Sequence, residues 1–583
     1  MERPQVNDAG DGANSAAPDQ QPIDEEMKDQ KAPAEDTDDV DAQEELWLKM
    51  MSSEIGVKKY LHQETKPIQE SLRWDVLIGR TLDTVEDVVT IIRRKPYDWG
   101  WKQKEGKQDM KTIVVLGSGW AAHALMKITN TYNTKLVIVS PVNHFVFTPM
   151  LASAAVGSVE YRSMTEAVRR SNPMVEYIEG KAVDVDVEKK TVTVELESLL
   201  QDTYKDAPPP DPLELSYDSL VCAVGTRTQA SRIPGASEHC YYLKTCDDSR
   251  RLRTAVGEAL EYASRPDIKN DPEEKRRRIT VCIVGGGPTG VELAGELSDF
   301  FADITKERKG QYPKLKDSVN VKLIHGGDSL VPAFDESLRD HALQSLQKKG
   351  VDVRLNTYTT QVGNGFVNIM DKNNKEEERL DVGITVWAAG VEAVPFSKKL
   401  LDQLPSSAKG QAGRVNVDKF LRPPVPSPEL LGSLFVLGDA AALPSDHDSS
   451  QLLPQTAQVA GQQGAYLGRL LNRQYNLTAP VPYLPEGTPS DTLFRSWLQV
   501  RGIDEAAPVF TFLNLGLLAY VGGGEALAAV SIGDVPIMSY AGSVGFVLWR
   551  SVYLVKQVAT RNRVLVTFDW IKTQLFGRDV TRL

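Results

Sequence analysis

A short apolar run, Val281–Val284, leads into Gly285-x-Gly287-x-x-Gly290 and then into Val291, Leu293, Ala294 and Leu297 at helical spacing. The pattern is that of a buried parallel strand, a tight turn and a helix. Each glycine has its own task. Gly285 permits the turn, Gly287 lets backbone approach a pyrophosphate, and Gly290 lets helix and strand pack closely. The free N–H groups and partial positive charge of the helix N-terminus suit phosphate. One such turn is weak evidence, because a glycine-rich turn with no ligand is spelled the same way. This chain has two. Thr112–Leu116 runs into Gly117-Ser118-Gly119-Trp120-Ala121-Ala122, where Ala122 is small enough for the third position. Roughly a hundred residues after each turn comes a further apolar strand with a glycine end, one carrying Gly225 and the other Gly390. The duplication predicts an α/β fold with two Rossmann-type dinucleotide-binding domains.

The 583 residues have room for several well-buried cores. A net charge of −12 argues against nucleic acid as a partner. The four cysteines, Cys222, Cys240, Cys246 and Cys282, lack disulfide-framework or metal-type spacing. Cys222 and Cys282 fall in expected strands, and no metal site is expected. No apolar run reaches the about 18 residues of a transmembrane helix.

Residues 1–45 are acidic, poor in aromatics and expected to be disordered. They resemble neither a secretory signal nor an Arg- and Ser-rich mitochondrial presequence. Residues 46–110 read as an arm on the main body, with amphipathic pieces at Trp47–Met51 and Val76–Ile92 and a basic stretch bearing Trp99 and Trp101. The expected division continues as 111–265 and 401–480 for the first dinucleotide domain, 266–400 for the second, and 481–583 for a carboxy-terminal membrane-anchoring region. In that last region Val544–Val558 and Val564–Phe576 look like basic, aromatic, amphipathic helices. They bear Trp549, Tyr553, Trp570 and Phe576 among Arg550, Lys556, Arg561, Arg563, Lys572, Arg578 and Arg582. Such helices suit an anionic membrane surface; core packing or a dimer interface is the alternative.

Several positions carry chemistry. The second strand of each unit ends where an acid would bind a ribose hydroxyl, but here stand Ser140 and His325. A neutral imidazole tolerates either nicotinamide nucleotide, an imidazolium favours a 2′-phosphate, and Asp328 is close enough in sequence to serve the ribose instead. Gly438-Asp439 closes an apolar strand, and its carboxylate can accept from a ribitol hydroxyl or cap a helix. Gln458 and Gln462 share one helix face and can donate to quinone carbonyls or simply meet solvent. The stretch after the first turn, residues 143–151, holds no Cys-x-x-x-x-Cys, so electrons would leave a flavin directly.

GlySerGlyTrp at 117–120, PheThrProMetLeu at 147–151, GlyGlyGlyProThrGlyValGlu at 285–292 and LeuGlyAspAla at 437–440 together resemble the type II (alternative, rotenone-insensitive) NADH dehydrogenases. ProGlnThrAlaGlnValAlaGlyGln at 454–462 and the ending ArgAsnArgValLeuValThrPheAspTrp…PheGlyArgAsp are more specific still, and SerProValAsnHisPheValPheThrPro points to the eukaryotic mitochondrial branch. The resemblance spans about 111 to 583. It implies a glutathione-reductase-like pair of domains, FAD at Gly117, Gly119 and Asp439, and NADH (or NADPH) at Gly285, Gly287 and Gly290. It adds Trp120, Ala122, Ser140, Thr148, Pro149, Gly225, Pro288, Thr289, His325, Gly390, Gly438 and Ala457 as cofactor-binding positions. It implies ubiquinone near Gln458 and Gln462, and Glu292 as a positioning or proton-handling group, against a bland role as a first-turn acid complementing the helix dipole. The implied activity is hydride transfer from NAD(P)H to FAD and then two electrons to ubiquinone, without proton pumping. The implied setting is peripheral on the mitochondrial inner membrane, as a homodimer. Competing readings are a soluble flavoprotein oxidoreductase like apoptosis-inducing factor, and a nucleotide-sensing interaction protein.

Overall fold

The computed structural model describes residues 74–92, 111–131, 134–196, 210–230, 232–268, 270–446, 450–485, 506–533, 535–579 and 581. The acidic segment 1–45, the piece Trp47–Met51, the basic stretch with Trp99 and Trp101, and Arg582 lie outside them. The described residues all belong to one compact unit, Trp47–Leu583.

Two sheets carry the two glycine turns. The first has seven strands in the order Leu434–Val436, Ser219–Cys222, Lys111–Leu116, Thr134–Ser140, Glu176–Asp186, Thr191–Leu196, Leu213–Ser216. Its first five are parallel and the last two return as antiparallel hairpins. The second has five parallel strands in the order Cys240–Tyr241, Ile384–Trp387, Thr280–Val284, Asn320–Ile324, Asp352–Arg354. In each sheet the strand entering the glycine turn lies between the next strand of its unit and the later strand whose end is glycine-rich.

The duplication holds at atomic detail. The Gly117 N–H donates to Val139 O at 2.7 Å, and the Gly285 N–H to Ile324 O at 2.8 Å. Both glycines have positive φ, +109° and +124°. A Cβ on Gly117 would lie 2.5 Å from Ala223 O, and one on Gly285 2.6 Å from Ala388 O. Both backbones therefore press on the following strand where no side chain fits.

Each sheet has its own core. Val114, Ile138, Leu220, Phe435 and Leu467 fill the first; Val281, Ile283, Leu293, Leu323 and Val386 fill the second. Leu252, Val256 and Leu260 of the helix Cys246–Ala263 belong to the second core. The chain thus enters the second sheet at Cys240, earlier than the expected boundary at 266. Cys222 and Cys282 are buried in their strands.

The carboxy-terminal region contains more than two helices. Leu517–Gly522, Glu525–Ile532 and Val535–Tyr540 form a three-stranded antiparallel sheet, followed by helices Ser543–Val555 and Thr560–Phe576. Ala519, Val521, Leu527 and Val566 join the second core, so this module is packed into the body of the protein. Its aromatic and basic residues divide accordingly. Trp549 is buried, Arg550 lies over Phe546 and Trp570 at 4.5 and 4.8 Å, and Arg578 is enclosed in an ion pair. These three are turned inward, against the reading of the whole set as lipid-facing. The outward face is apolar: Val544, Val547, Val555, Val564, Phe568, Leu575 and Phe576, the last 82% exposed. No described helix is long and apolar enough to cross a membrane.

Candidate active site

The two nucleotide cradles share one construction. Gly119 is the N-cap of Trp120–Ile128 and Gly287 that of Pro288–Ile304, and neither offers a side-chain capping bond. The N–H groups of the first helical turn therefore face outward. A Cβ on either glycine would meet nothing within 4 Å, so open space stands in front of each helix. Gly290, by contrast, would place a Cβ 1.9 Å from Gly285 O. Pro288 occupies the first helical position, where its missing N–H costs nothing, and Thr289 beside it is exposed. These features fit a pyrophosphate at each turn.

Around the first cradle the Ser140 hydroxyl is buried, 3.0 Å from that of Ser118, and accepts from Val142 N–H at 3.3 Å. It is engaged in holding the loop. Trp120 Nε1 donates to Thr148 Oγ1 at 3.1 Å, which fastens the Thr148–Met150 turn, including Pro149, beside the cradle. Ala122 is fully buried under the helix. Gly225 has φ +67° and open space beyond its Cα. Asp439 sits in the short turn Gly438–Ala440 and caps no long helix; Thr456 caps Ala457–Asn472 instead. The Asp439 carboxylate accepts from Thr226 Oγ1 at 3.1 Å and lies 3.9 Å from Lys244 Nζ, whose ammonium burial makes more acidic.

The helix Ala457–Asn472 ties these parts together. A Cβ on Gly464 would lie 2.0 Å from Ala121 O, and Gln463 Oε1 accepts the Gly438 N–H at 2.6 Å. Gln458 and Gln462 clamp an incoming backbone segment. Gln458 donates to Gly516 O at 2.7 Å and accepts from Leu515 N–H at 3.2 Å. Gln462 donates to Leu513 O at 2.8 Å and accepts from Leu513 N–H at 3.0 Å. Neither forms a solvated face, and each keeps one unspent amide hydrogen among the described residues.

The clamped segment continues into the strand Leu517–Gly522, whose Tyr520 N–H points to Glu292 Oε1 at 3.4 Å. The Tyr553 hydroxyl approaches the same oxygen at 3.5 Å. Glu292 lies in the second turn of its helix, so it is not a first-turn dipole partner. It is only 8% exposed, and burial, assisted by the charge of Glu296, pushes its carboxyl up to about 8. Below about pH 4.5 the group is protonated both folded and unfolded. Between about 4.5 and about 8 only the folded state keeps the proton, so stability falls as pH rises through that window. Glu292→Gln should therefore melt like the wild type at low pH and above it at pH 8, by a few kcal/mol at about 1.4 kcal/mol per unit. Thermal melts across pH check this.

His325 departs from its expected charged option. Its Nδ1 accepts the Gly286 N–H at 3.1 Å, and burial makes the imidazolium more acidic than usual. Protonation at Nδ1 would break that bond, so both burial and the Gly286 contact favour the neutral ring beside the second cradle. Asp328 nearby is partnered by the Ser329 hydroxyl at 3.0 Å. Gly390 stands at φ +68° beyond the Trp387 strand, packed on Gln229.

Residue types alone did not reveal the acidic ladder of the Glu292 helix. Glu296 accepts from Ser153 at 2.6 Å and pairs with Arg578 at 2.9 Å; Asp299 accepts from Gly523 N–H at 2.8 Å and from the Tyr520 hydroxyl; Asp303 lies 3.4 Å from Arg578. The spacing 292, 296, 299, 303 on one helix face was the available signal. Among the described residues no cluster could hold a metal.

A family model described as pyridine nucleotide-disulphide oxidoreductase matches residues 111–464, and one described as NDH2 C-terminal domain matches 514–579. A probable mitochondrial NADH-ubiquinone oxidoreductase of Schizosaccharomyces pombe is 33% identical over 541 residues, covering 89% of this chain and 92% of its own. An internal alternative mitochondrial NAD(P)H-ubiquinone oxidoreductase of Solanum tuberosum is 34% identical, covering 82% and 89%. The structure of NDH2 from Plasmodium falciparum in complex with NADH shares the fold, with TM-score 0.67, 23% identity and coverage of 81% and 100%. The chain belongs to the pyridine nucleotide-disulphide oxidoreductase family and, within it, to the type II NADH dehydrogenases.

Proposed function

We propose that this protein is a non-proton-pumping NAD(P)H:quinone oxidoreductase of the mitochondrial inner membrane. One observation carries the reading. The segment Leu513–Tyr520 joins the Gln458/Gln462 face, packed on the first cradle's helix, to Glu292 on the second cradle's helix. The two glycine cradles and the polar face are thereby linked through one backbone segment.

Gly117, Gly119 and the outward N–H groups of Trp120–Ile128 would hold the FAD pyrophosphate, with Asp439 receiving a ribitol hydroxyl. Gly285, Gly287 and Gly290 would hold that of NADH. FAD held at the first cradle would supply the two-electron chemistry that links hydride donation by NAD(P)H to quinone reduction. The chain supplies position and protons. Quinone reduction consumes one proton beyond the hydride, and Glu292, protonated near neutral pH, is suited to hold it. The spare N–H groups of Gln458 and Gln462 are suited to quinone carbonyls. The exposed apolar face of the last two helices, with Lys556 and Arg563 exposed beside it, suits the surface of an anionic membrane. The same face would serve a homodimer.

The test is the initial rate of NADH and NADPH oxidation with and without a short-chain quinone, at pH 6 and pH 8. Oxidation should depend on quinone. Because Nδ1 is held as an acceptor and burial disfavours the imidazolium, His325→Gln should show the same pH trend in the NADH-to-NADPH ratio as the wild type. A rate indifferent to quinone would favour a soluble oxidase, and a shift towards NADPH at pH 6 that His325→Gln abolishes would overturn the neutral assignment.

A further inference from the structure

The helix Trp74–Ile92 lies against the glutamine helix, 382 residues away in sequence. Its acids at 83, 86 and 87 share one face, as do Arg469 and Arg473 opposite. Arg469 reaches Asp87 at 2.7 Å and Asp83 at 3.2 Å; Arg473 reaches Glu86 at 2.7 Å and Asp83 at 3.1 Å. All five side chains are largely buried. Such a set is costly to break, because removing one partner strands a buried charge. It holds Trp74–Ile92 in register on the glutamine helix, and one turn before Asp83 stands Arg80.

The Arg80 guanidinium donates to Gln462 Oε1 at 3.2 Å and to the Thr511 carbonyl. Gln462 Oε1 also accepts from Leu513 N–H. An amide oxygen has two acceptor positions and its nitrogen two hydrogens. Both acceptor positions are filled, and one hydrogen goes to Leu513 O. Rotating the amide by half a turn would set its NH₂ against the Arg80 and Leu513 N–H groups. An arginine stays charged at any working pH, so this orientation is enforced throughout.

We propose that Arg80 is a positioning residue for quinone reduction, locking the Gln462 amide so that the one group it can offer is an N–H, the complement of a quinone carbonyl. The inference rests on the reading that quinone meets Gln462. It assigns the arm a part in acceptor selection: an acceptor with a carbonyl oxygen is favoured over one that needs an acceptor from the protein.

The experiment uses the full-length FAD-loaded protein, NADH, and either a short-chain ubiquinone or ferricyanide. Ferricyanide takes electrons without a carbonyl contact and reports flavin reduction in the same preparation. Arg80→Met should raise the quinone KM by about tenfold, about 1.4 kcal/mol, with the ferricyanide rate correcting for any change in flavin reduction. Arg80→Lys, still a cationic donor, should recover part of the loss. A merely structural strap would lower the melting temperature and leave the quinone KM unmoved, which would overturn the proposal. Gln462→Ala separates the two levels. If it raises the quinone KM and Arg80→Met does not, the inference fails and the functional reading stands. If Gln462→Ala also changes nothing, the assignment of quinone to Gln462 fails and the inference with it.

Discussion

Gly290→Val should slow flavin reduction by NADH drastically while leaving flavin bound. The Cβ would fall 1.9 Å from the Gly285 carbonyl oxygen, inside any permitted contact, and both atoms are held by strand and helix. The turn would have to open, moving the helix N-terminus away from the phosphates it serves. The first cradle should be spared, because its own turn rests on Ala223 and Val139. The expected loss in kcat/KM for NADH is about a hundredfold or more, about 2.7 kcal/mol of lost transition-state binding. Anaerobic stopped-flow distinguishes the effects: dithionite should bleach the flavin as in the wild type, and NADH about a hundredfold more slowly. Gly287→Ala should be milder without ligand, since its Cβ enters empty space, yet it obstructs the same nucleotide.

Arg578→Met should unfold the protein at a markedly lower temperature. Arg578 is enclosed against Glu296, the Ser158 hydroxyl at 2.6 Å and Asp303. Removing the cation leaves the Glu296 carboxylate buried with, among the described residues, only the hydroxyls of Ser153 and Ser158 as partners. Breaking a buried pair from one side costs about 3–5 kcal/mol. The tail is held as well by Arg253, which donates to Asp579 O at 2.7 Å. Its path across Gly157 is so close that a Cβ there would meet Asp579 O. Flavin fluorescence during thermal unfolding reads the shift. Disrupting the half-exposed Lys572–Glu160 pair at 3.1 Å should cost about 1 kcal/mol or less, because solvent screens it.

The two dinucleotide units were legible because their determinants are local. A strand, three small residues and a helix lie within some twenty residues, and apolar runs such as Val281–Val284 mark strands buried on both faces. Gln458 and Gln462 were legible as a pair on a helix face. Their partners were not, because those are backbone groups at 513–516, which carry no side-chain signature. The three-stranded carboxy-terminal sheet was missed for a related reason. Its first hairpin turns through Gly522, Gly523 and Gly524, all at positive φ, and its strands pack on a helix instead of forming a conspicuous alternation. The sign of the tail's charge is legible, but the place of Arg578 is not: it looks like a surface cation until Glu296, 282 residues earlier, is brought against it. Ser140 and His325 stood at the expected strand ends. What they do there is set by Ser118 and Gly286, and only the folded chain brings those contacts about.

The most direct test of the central claim is anaerobic two-step mixing. The FAD-loaded protein is first reduced with one equivalent of NADH and then mixed with a short-chain ubiquinone in the absence of oxygen. Flavin absorbance should vanish in the first step and return in the second at the rate at which quinol appears. Reduced flavin that waits unchanged in the presence of quinone, and recovers only when oxygen is admitted, would contradict the account.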